Sequence, residues 1–411
     1  MDTNTQPETP PKPTSPSAAS LAALLTEADV MPPGWAAIFA AVPRAVFVPD
    51  LVWAHDPATG AYTALDRSSD PDAWTAAVYG NTALVTQWDD GDHTGPEPGR
   101  LATSSASMPS VVADMLYDLK VSDGDRVLDV GTGTGWTAAL LAARLGVGQV
   151  VTVEVDPLLA EQARANLARA GLPVAVVTGD GAEGWPDGAP YDLVHVTAGT
   201  RTIAPAWLAQ TRPGGRIVAP WGTDYTPHDA LVALTVHDPA HASGPFTVAA
   251  SFMKLRDQRP TRRDHAAYAP PGWTDRARVS TPGLTLEEVT GGAYDARDFA
   301  VGLAVPHCAK AVSRDADATT VWLYGLPTAA GDAGLSVAAA TFPRDTAAQP
   351  AAVWQAGPRN LWDEVEAAHA WWTDLGKPEV YDFGLTVIVA DDGTVRHTPW
   401  HQDTDHPVPA A

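Results

Sequence analysis

The chain has 411 residues, 45% of them apolar, one cysteine and a formal charge of −23 at neutral pH. That length suits two or three domains of ~100–200 residues, and no apolar run approaches the ~18 residues of a membrane span. So acidic a surface argues against nucleic acid or an anionic membrane as partner and serves solubility, while a lone Cys308 excludes an intrachain disulfide and accords with a reducing cytoplasm.

Met1–Ala19 is rich in Pro, Thr and Ser and lacks the basic start and apolar stretch of a signal peptide, so it reads as a disordered tail. A helical start follows, with Leu21, Leu24 and Leu25 on one face, then a polar, Trp-containing stretch ending in an Asp-, Gly- and Pro-rich loop at Trp88–Arg100. From about Leu101 to Leu255, apolar strands alternate with amphipathic helices. The pattern predicts helix Met108–Leu119, strand Arg126–Val130, helix Trp136–Leu145, strand Val150–Glu154, helix Leu158–Ala170, and strands Val174–Thr178 and Leu193–Thr197. Short strands alternating with helices predict an α/β fold with a doubly wound parallel sheet.

Around Lys254–Arg278 the character changes: Lys254, Arg256, Arg259, Arg262, Arg263, Arg276 and Arg278 face only Asp257, Asp264 and Asp275, among Pro260, Pro270, Pro271 and Gly272. This stretch reads as a basic link. Beyond it, apolar runs at Thr320–Leu323, Leu335–Thr341 and Leu385–Val389 and a helical pattern at Asn360–Leu375 predict an α+β module. The expected organisation is a tail (1–19), a catalytic domain (20–255), a basic Pro-rich linker (256–283) and a C-terminal α+β domain (284–411). No repeat of solenoid or propeller period is present.

The chemistry begins where strand Val127–Val130 runs through Asp129 into Gly131-Thr132-Gly133-Thr134-Gly135 and then a helix. Glycines there permit a tight turn and close approach of a ligand to the helix N-terminus. A dinucleotide fingerprint requires a sixth-place glycine for helix–strand packing, and Trp136 stands there instead. Gly-x-Gly-x-Gly after a strand Asp is the pattern of S-adenosylmethionine enzymes. Glu154, at the end of the next strand, has the spacing of a ribose-binding carboxylate, or it is a surface residue. Asp180, within Gly179-Asp180-Gly181, reads as an acceptor for the adenine amino group or as a turn aspartate. Asp129, Gly131–Gly135, Glu154, Val155, Asp180, Gly181 and Thr197 form the candidate cofactor set for S-adenosylmethionine.

With these motifs in order, the segment from about Met31 to Leu255 resembles the protein L-isoaspartyl O-methyltransferase family. The resemblance adds Ala41-Val42-Pro43-Arg44 with Phe47-Val48-Pro49, the run Gly179-Asp180-Gly181-x-x-Gly184-Trp185, Tyr191-Asp192 with Val196-Thr197-Ala198, and Arg212–Pro220 with Gly222. It implies a Rossmann-like methyltransferase acting on a carboxylate of a peptide. The family's active-site segment, Thr-Ile-Ser-Gln/Ala-Pro, aligns with Ser105-Ala106-Ser107-Met108-Pro109. Only Ser107 and Pro109 are kept, which departs from ordinary repair specificity. Ser107 is the candidate catalytic residue and Ser105–Pro109 the candidate substrate segment, with Ser107 also readable as a helix N-cap. The C-terminal extension further resembles variants of ribosomal peptide pathways (graspetide, lanthipeptide or lasso type) that methylate an aspartate of a macrocyclised precursor. The implied partner is therefore a modified precursor peptide, with general isoaspartyl repair as the alternative and a non-catalytic peptide-binding module as the reading from another class.

Carboxyl methylation explains why no Ser–His–Asp or metal constellation is needed: a carboxylate of pKa about 4 is already ionised at neutral pH. Adjacent His307 and Cys308, with no spaced partner, read as structural. His397 and His401 are separated by Pro399 and do not read as a helical metal pair. Trp354, Trp362, Trp371 and Trp372 read as core or as a peptide groove.

Overall fold

The computed structural model describes residues 15–56, 59–260, 263–292, 294–327, 335–345 and 350–410. Most of the expected tail, Met1–Thr14, and Arg262 of the basic link lie outside the described residues. In chain order the helices and strands are α1 (Ala18–Glu27), α2 (Ala36–Ala41), β1 (Leu51–His55), β2 (Tyr62–Asp66), α3 (Pro71–Val78), β3 (Leu84–Trp88), β4 (Ala102–Ala106) and α4 (Pro109–Leu119). Next come β5 (Val127–Val130), α5 (Trp136–Leu145), β6 (Val150–Glu154), α6 (Pro157–Arg169), β7 (Ala175–Thr178), β8 (Tyr191–Val196), α7 (Pro205–Gln210), β9 (Thr211–Trp221), β10 (Asp229–Asp238) and β11 (His241–Ala250). The chain closes with α8 (His265–Tyr268), β12 (Arg278–Ser280), α9 (Leu286–Thr290), α10 (Ala296–Ala304), β13 (Cys308–Arg314), β14 (Ala318–Gly325), β15 (Val337–Pro343), β16 (Ala352–Ala356), α11 (Leu361–Asp374), β17 (Phe383–Val389) and β18 (Val395–His401).

Two compact units result. The first comprises residues up to Leu116 with Thr132–Gly148 and Asp156–Val176; the second comprises Tyr117–Gly131, Gln149–Val155 and the chain from Val177 onward. Within the first, α1 starts inside the expected tail because Ser17 and Ser20 form a capping box. It buries Leu21, Ala22 and Leu25 but leaves Leu24 45% exposed, so the apolar face sits one position away from the expected one. The polar stretch after it is a four-stranded antiparallel sheet, β2-β1-β3-β4, over a core of Val52, Trp74, Val78, Leu84 and Ala106. The Trp88–Arg100 loop is pinned: the Asp89 carboxylate accepts from Arg100 N at 3.0 Å and Leu101 N at 2.8 Å, and Trp53 Nε1 donates to Pro96 O at 2.7 Å.

The doubly wound sheet is present and larger than expected. Its nine strands run β18-β17-β11-β10-β9-β8-β5-β6-β7. Strands β6, β5, β8 and β9 pair in parallel, and β10, β11, β17 and β18 add antiparallel. A boundary at residue 284 does not follow these pairings. Residues 383–401 complete the main sheet, and Phe383, Leu385 and Val387 are fully buried in the same core as Leu128, Val130 and Val194. The five-stranded sheet β12-β16-β15-β14-β13 instead begins at Arg278, inside the expected linker, and packs around Trp362, Val365 and Cys308. The basic stretch Lys254–Arg278 is thus built into the fold at both ends, because Lys254 and Arg278 each pair with the backbone of a neighbouring segment.

Candidate functional site

In the second unit, three strand ends converge. The parallel register sets Val127 opposite Val150 on one side and Leu193 on the other, so β5, β6 and β8 finish together. Gly131 N donates to Val153 O at 2.9 Å, Gly179 N to Glu154 O at 2.9 Å and Thr197 N to Val130 O at 2.8 Å. This edge lies outside the carboxyl ends of parallel strands, where open α/β sheets bind ligands. Gly131 has φ +91°, and a Cβ built there would meet Thr197 Oγ1 at 2.8 Å, so the backbone turns in a space that only glycine leaves open. The Thr197 hydroxyl donates to Gly131 O at 2.6 Å and so locks that turn. Glu154 is buried at the end of β6, Val155 beside it is 40% exposed, and Gly181 is buried against Val130.

Asp129 and Asp180 each have a structural task. The Asp129 carboxylate is 1% exposed; its Oδ1 meets His195 Nδ1 at 2.8 Å and its Oδ2 accepts from Thr152 Oγ1 at 2.7 Å. These three residues are register neighbours on β6, β5 and β8, so they form one buried polar row under the turn. A carboxylate with both oxygens bonded in this way ties side chains of the three neighbouring strands together. Asp180 is exposed and caps a short turn, accepting from Ala182 N at 2.9 Å through Oδ1. This is the turn aspartate of the second reading.

The first unit carries the rest of the glycine motif and the candidate substrate segment. Gly135, also at φ +91°, has Leu167 Cδ-bearing carbon Cγ within 3.3 Å of where a Cβ would stand, so α5 starts close against α6. Gly135 N donates to Thr132 O at 2.9 Å, closing the Thr132-Gly133-Thr134 arc. Trp136, in the place that excluded a dinucleotide fingerprint, is buried edge-on against Phe39 with its Nε1 donating to Val42 O at 3.3 Å. Ser105 and Ala106 pair with Val85 and Leu84 of β3. Ser107, Met108 and Pro109 then lead into α4. The first turn of that helix is capped by Asn81, whose Oδ1 accepts from Ser110 N at 2.9 Å. Among the described residues the Ser107 hydroxyl takes no intramolecular hydrogen bond.

Arg44 is the residue that organises this segment, and the sequence showed it only as part of a signature. It is fully buried. Its guanidinium donates to Val78 O at 2.9 Å, Thr82 O at 3.0 Å, Ala106 O at 2.9 Å and Ser107 O at 2.8 Å, and it lies 5.4 Å from the centroid of Trp136. Burial lowers its pKa to about 9, which leaves it cationic at neutral pH. A second group that went unread is the buried Lys254–Asp229 ion pair, with Arg201 also donating to Asp229 at 3.1 Å. Burial lowers Lys254 to about 8. No local pattern shows what either group holds, since their partners are distant in sequence.

The remaining candidates resolve as structure. Cys308 is buried and its thiol is pushed up to about 12 by burial. His397 lies on β18 and accepts from Ile203 N at 3.1 Å. Trp362 and Trp372 are core residues. Among the described residues no cluster of three or more metal-ligating side chains occurs, and no helix is long and apolar enough to cross a membrane.

Residues 50–240 match the family model described as protein-L-isoaspartate(D-aspartate) O-methyltransferase. Curated relatives include the protein-L-isoaspartate O-methyltransferases of Methylorubrum extorquens, 43% identical over 152 residues (37% of this chain, 60% of the relative), and Methanoculleus marisnigri, 48% identical over 117 residues (28% and 52%). The chain therefore spans between about half and three fifths of the curated relatives it matches. A solved structure titled protein-L-isoaspartate O-methyltransferase shares the fold with a TM-score of 0.50 at 20% identity, over 93% of this chain and 99% of its own.

Proposed function

We propose, from a segment that carries the sequence of the protein-L-isoaspartate O-methyltransferase family over residues 50–240, that this chain is an S-adenosylmethionine-dependent carboxyl O-methyltransferase acting on isoaspartyl residues of peptides or proteins. The observation that carries the reading is the glycine turn at Gly131, which a side chain would block, set beside the buried Glu154 at the next strand end. In this reading Gly131–Gly135 pass under the amino-acid part of the cofactor, Glu154 accepts from the ribose diol, and Val155, Asp180 and Gly181 border the adenine. Bound there, the cofactor supplies an electrophilic methyl group.

The chain's own residues have a positioning task. An acceptor carboxylate is ionised near neutral pH, so no side chain is required to remove a proton. Orientation alone lowers such a barrier by roughly 7–11 kcal/mol. The Ser107 hydroxyl is the donor that orients the acceptor, and Arg44 holds the peptide backbone on which Ser107 sits. The product ester then closes by itself. The following backbone nitrogen attacks the ester carbonyl, methanol leaves with the nitrogen's proton, and a succinimide remains.

A second reading, methylation of an aspartate in a macrocyclic precursor peptide, is favoured by the departures at Ser105, Ala106 and Met108. The C-terminal extension no longer supports it, because a solved structure bearing the isoaspartate methyltransferase title has the same fold across nearly the whole chain. The two readings separate on incubation with S-adenosylmethionine and either a linear isoaspartyl peptide or a macrocyclic aspartyl peptide. Mass spectrometry follows gain of one methyl and later loss of methanol. Turnover of the linear isoaspartyl peptide is expected. Turnover confined to the macrocycle would replace the first reading by the second, and no turnover of either would remove both.

A further inference from the structure

The loop leaving β8 starts at the same strand edge as the glycine turn, since Thr197 is bonded to Val130 and Gly131. Its backbone is held from several sides. Gly199 N donates to Met253 O at 2.8 Å and Leu255 N to Gly199 O at 3.0 Å. The Thr200 amide and hydroxyl both donate to Pro220 O at 2.8 Å. The Gln258 carboxamide accepts from Arg201 N at 2.7 Å and Thr202 N at 2.9 Å, and donates to Thr202 O at 3.0 Å. The next amide, Ile203 N, donates 3.1 Å to His397 Nε2 on β18, 194 residues away. Ile203 is fully buried, and α7 begins two residues later with no side-chain cap on Ala204. The His397 ring is itself fixed, 6.0 Å from Trp221 at an interplanar angle of 34°.

We propose that the last strand of the chain clamps this loop, with His397 a positioning residue that holds residues 199–203 in acceptor-binding geometry by accepting the Ile203 amide. The loop's part in acceptor binding is itself proposed here, from its start at Thr197 beside the glycine turn, and presupposes the methyltransferase reading above; the clamp itself rests on the contacts. A buried amide must find an acceptor. Here the segment furthest along the chain supplies it, and β18 reaches the site only because β17 and β18 extend the main sheet. Burial suits the imidazole to this task by keeping it neutral, with its pKa lowered to about 4. The C-terminal strands thereby serve the acceptor side without adding a residue to the cofactor side.

The test uses the full chain with His397→Phe, which keeps a ring beside Trp221 but has no acceptor, and His397→Gln, whose Oε1 stands at a similar reach. Hydrogen exchange of the 200–203 amides is followed by mass spectrometry, with cofactor affinity by calorimetry and the Michaelis constant for an isoaspartyl peptide. His397→Phe is expected to speed loop exchange and raise the peptide Michaelis constant, each on the order of tenfold, with cofactor affinity unchanged, and His397→Gln to restore both. Unchanged exchange in the Phe variant overturns the clamp, as does equal acceleration in both variants. Faster exchange with an unchanged Michaelis constant overturns the positioning role. If the parent chain binds cofactor yet methylates no isoaspartyl peptide, the functional reading fails separately and the clamp is judged on exchange alone.

Discussion

Replacing Arg44 tests how the candidate substrate segment is held. In Arg44→Met the side chain keeps its reach but loses every donor, and the carbonyls of Val78, Thr82, Ala106 and Ser107 each lose a bond of 2.8–3.0 Å. Hydrogen bonds to a charged group contribute about 1.5–3 kcal/mol each, but they are not additive. The guanidinium also bears a desolvation cost that methionine does not, visible in its lowered pKa. Balancing these, removal of one side of a buried charged network costs about 3–5 kcal/mol. Arg44→Lys retains the charge with three donors that cannot reproduce the fork, so its loss should be about half as large. Denaturant unfolding at neutral pH gives the stability loss, and initial rates give the Michaelis constant for an isoaspartyl peptide. Because Ala106 O and Ser107 O are two of the four acceptors, the Lys variant should raise that constant while leaving cofactor affinity alone. If Arg44→Met unfolds within about 1 kcal/mol of the parent, a network of this kind is not what holds the segment. If the Lys variant has parental kinetics, Arg44 does not place Ser107.

Glu154→Ala should weaken S-adenosylmethionine binding by about 2–3 kcal/mol, the value of charge-assisted bonds to a diol; calorimetry showing parental affinity would reject the ribose assignment. Truncation near Pro282 removes β13–β18 and, with them, Phe383, Leu385 and Val387 from the main core, so the shortened chain should fail to give a cooperative unfolding transition by circular dichroism. His397 makes stability pH-dependent. Its folded pKa of about 4 lies below the unfolded value near 6.5, so its contribution is complete above about pH 6.5 and is lost as pH falls through 4, by at most about 3 kcal/mol. Denaturation midpoints from pH 7 down to 4 should therefore drop less in His397→Gln than in the parent, and parallel curves would count against the assignment.

Which of these groups could be read in advance follows from the range of the interactions. The glycine turn, its flanking strand and α5 obey local rules, and the observed Val127–Val130 and Trp136–Leu145 lie within one residue of the expected bounds. The place of Glu154 at the end of β6 was legible because the strand–helix–strand spacing of a parallel βαβ unit is regular. The four-stranded sheet before residue 107 was not, since its strands are short, polar on one side and paired to each other rather than to a helix-connected neighbour. Long-range pairing also hid the role of the chain's end. An apolar run at 385–389 announces a strand but not its partner, which is the edge of β11, itself the outer member of a hairpin. Once β17 takes that edge, β18 falls in register with it and Thr386 stands opposite Thr398, one residue from the ring that accepts Ile203 N. The extension thus continues the sheet that carries the glycine turn, and its separation from that sheet would require breaking the core that both share.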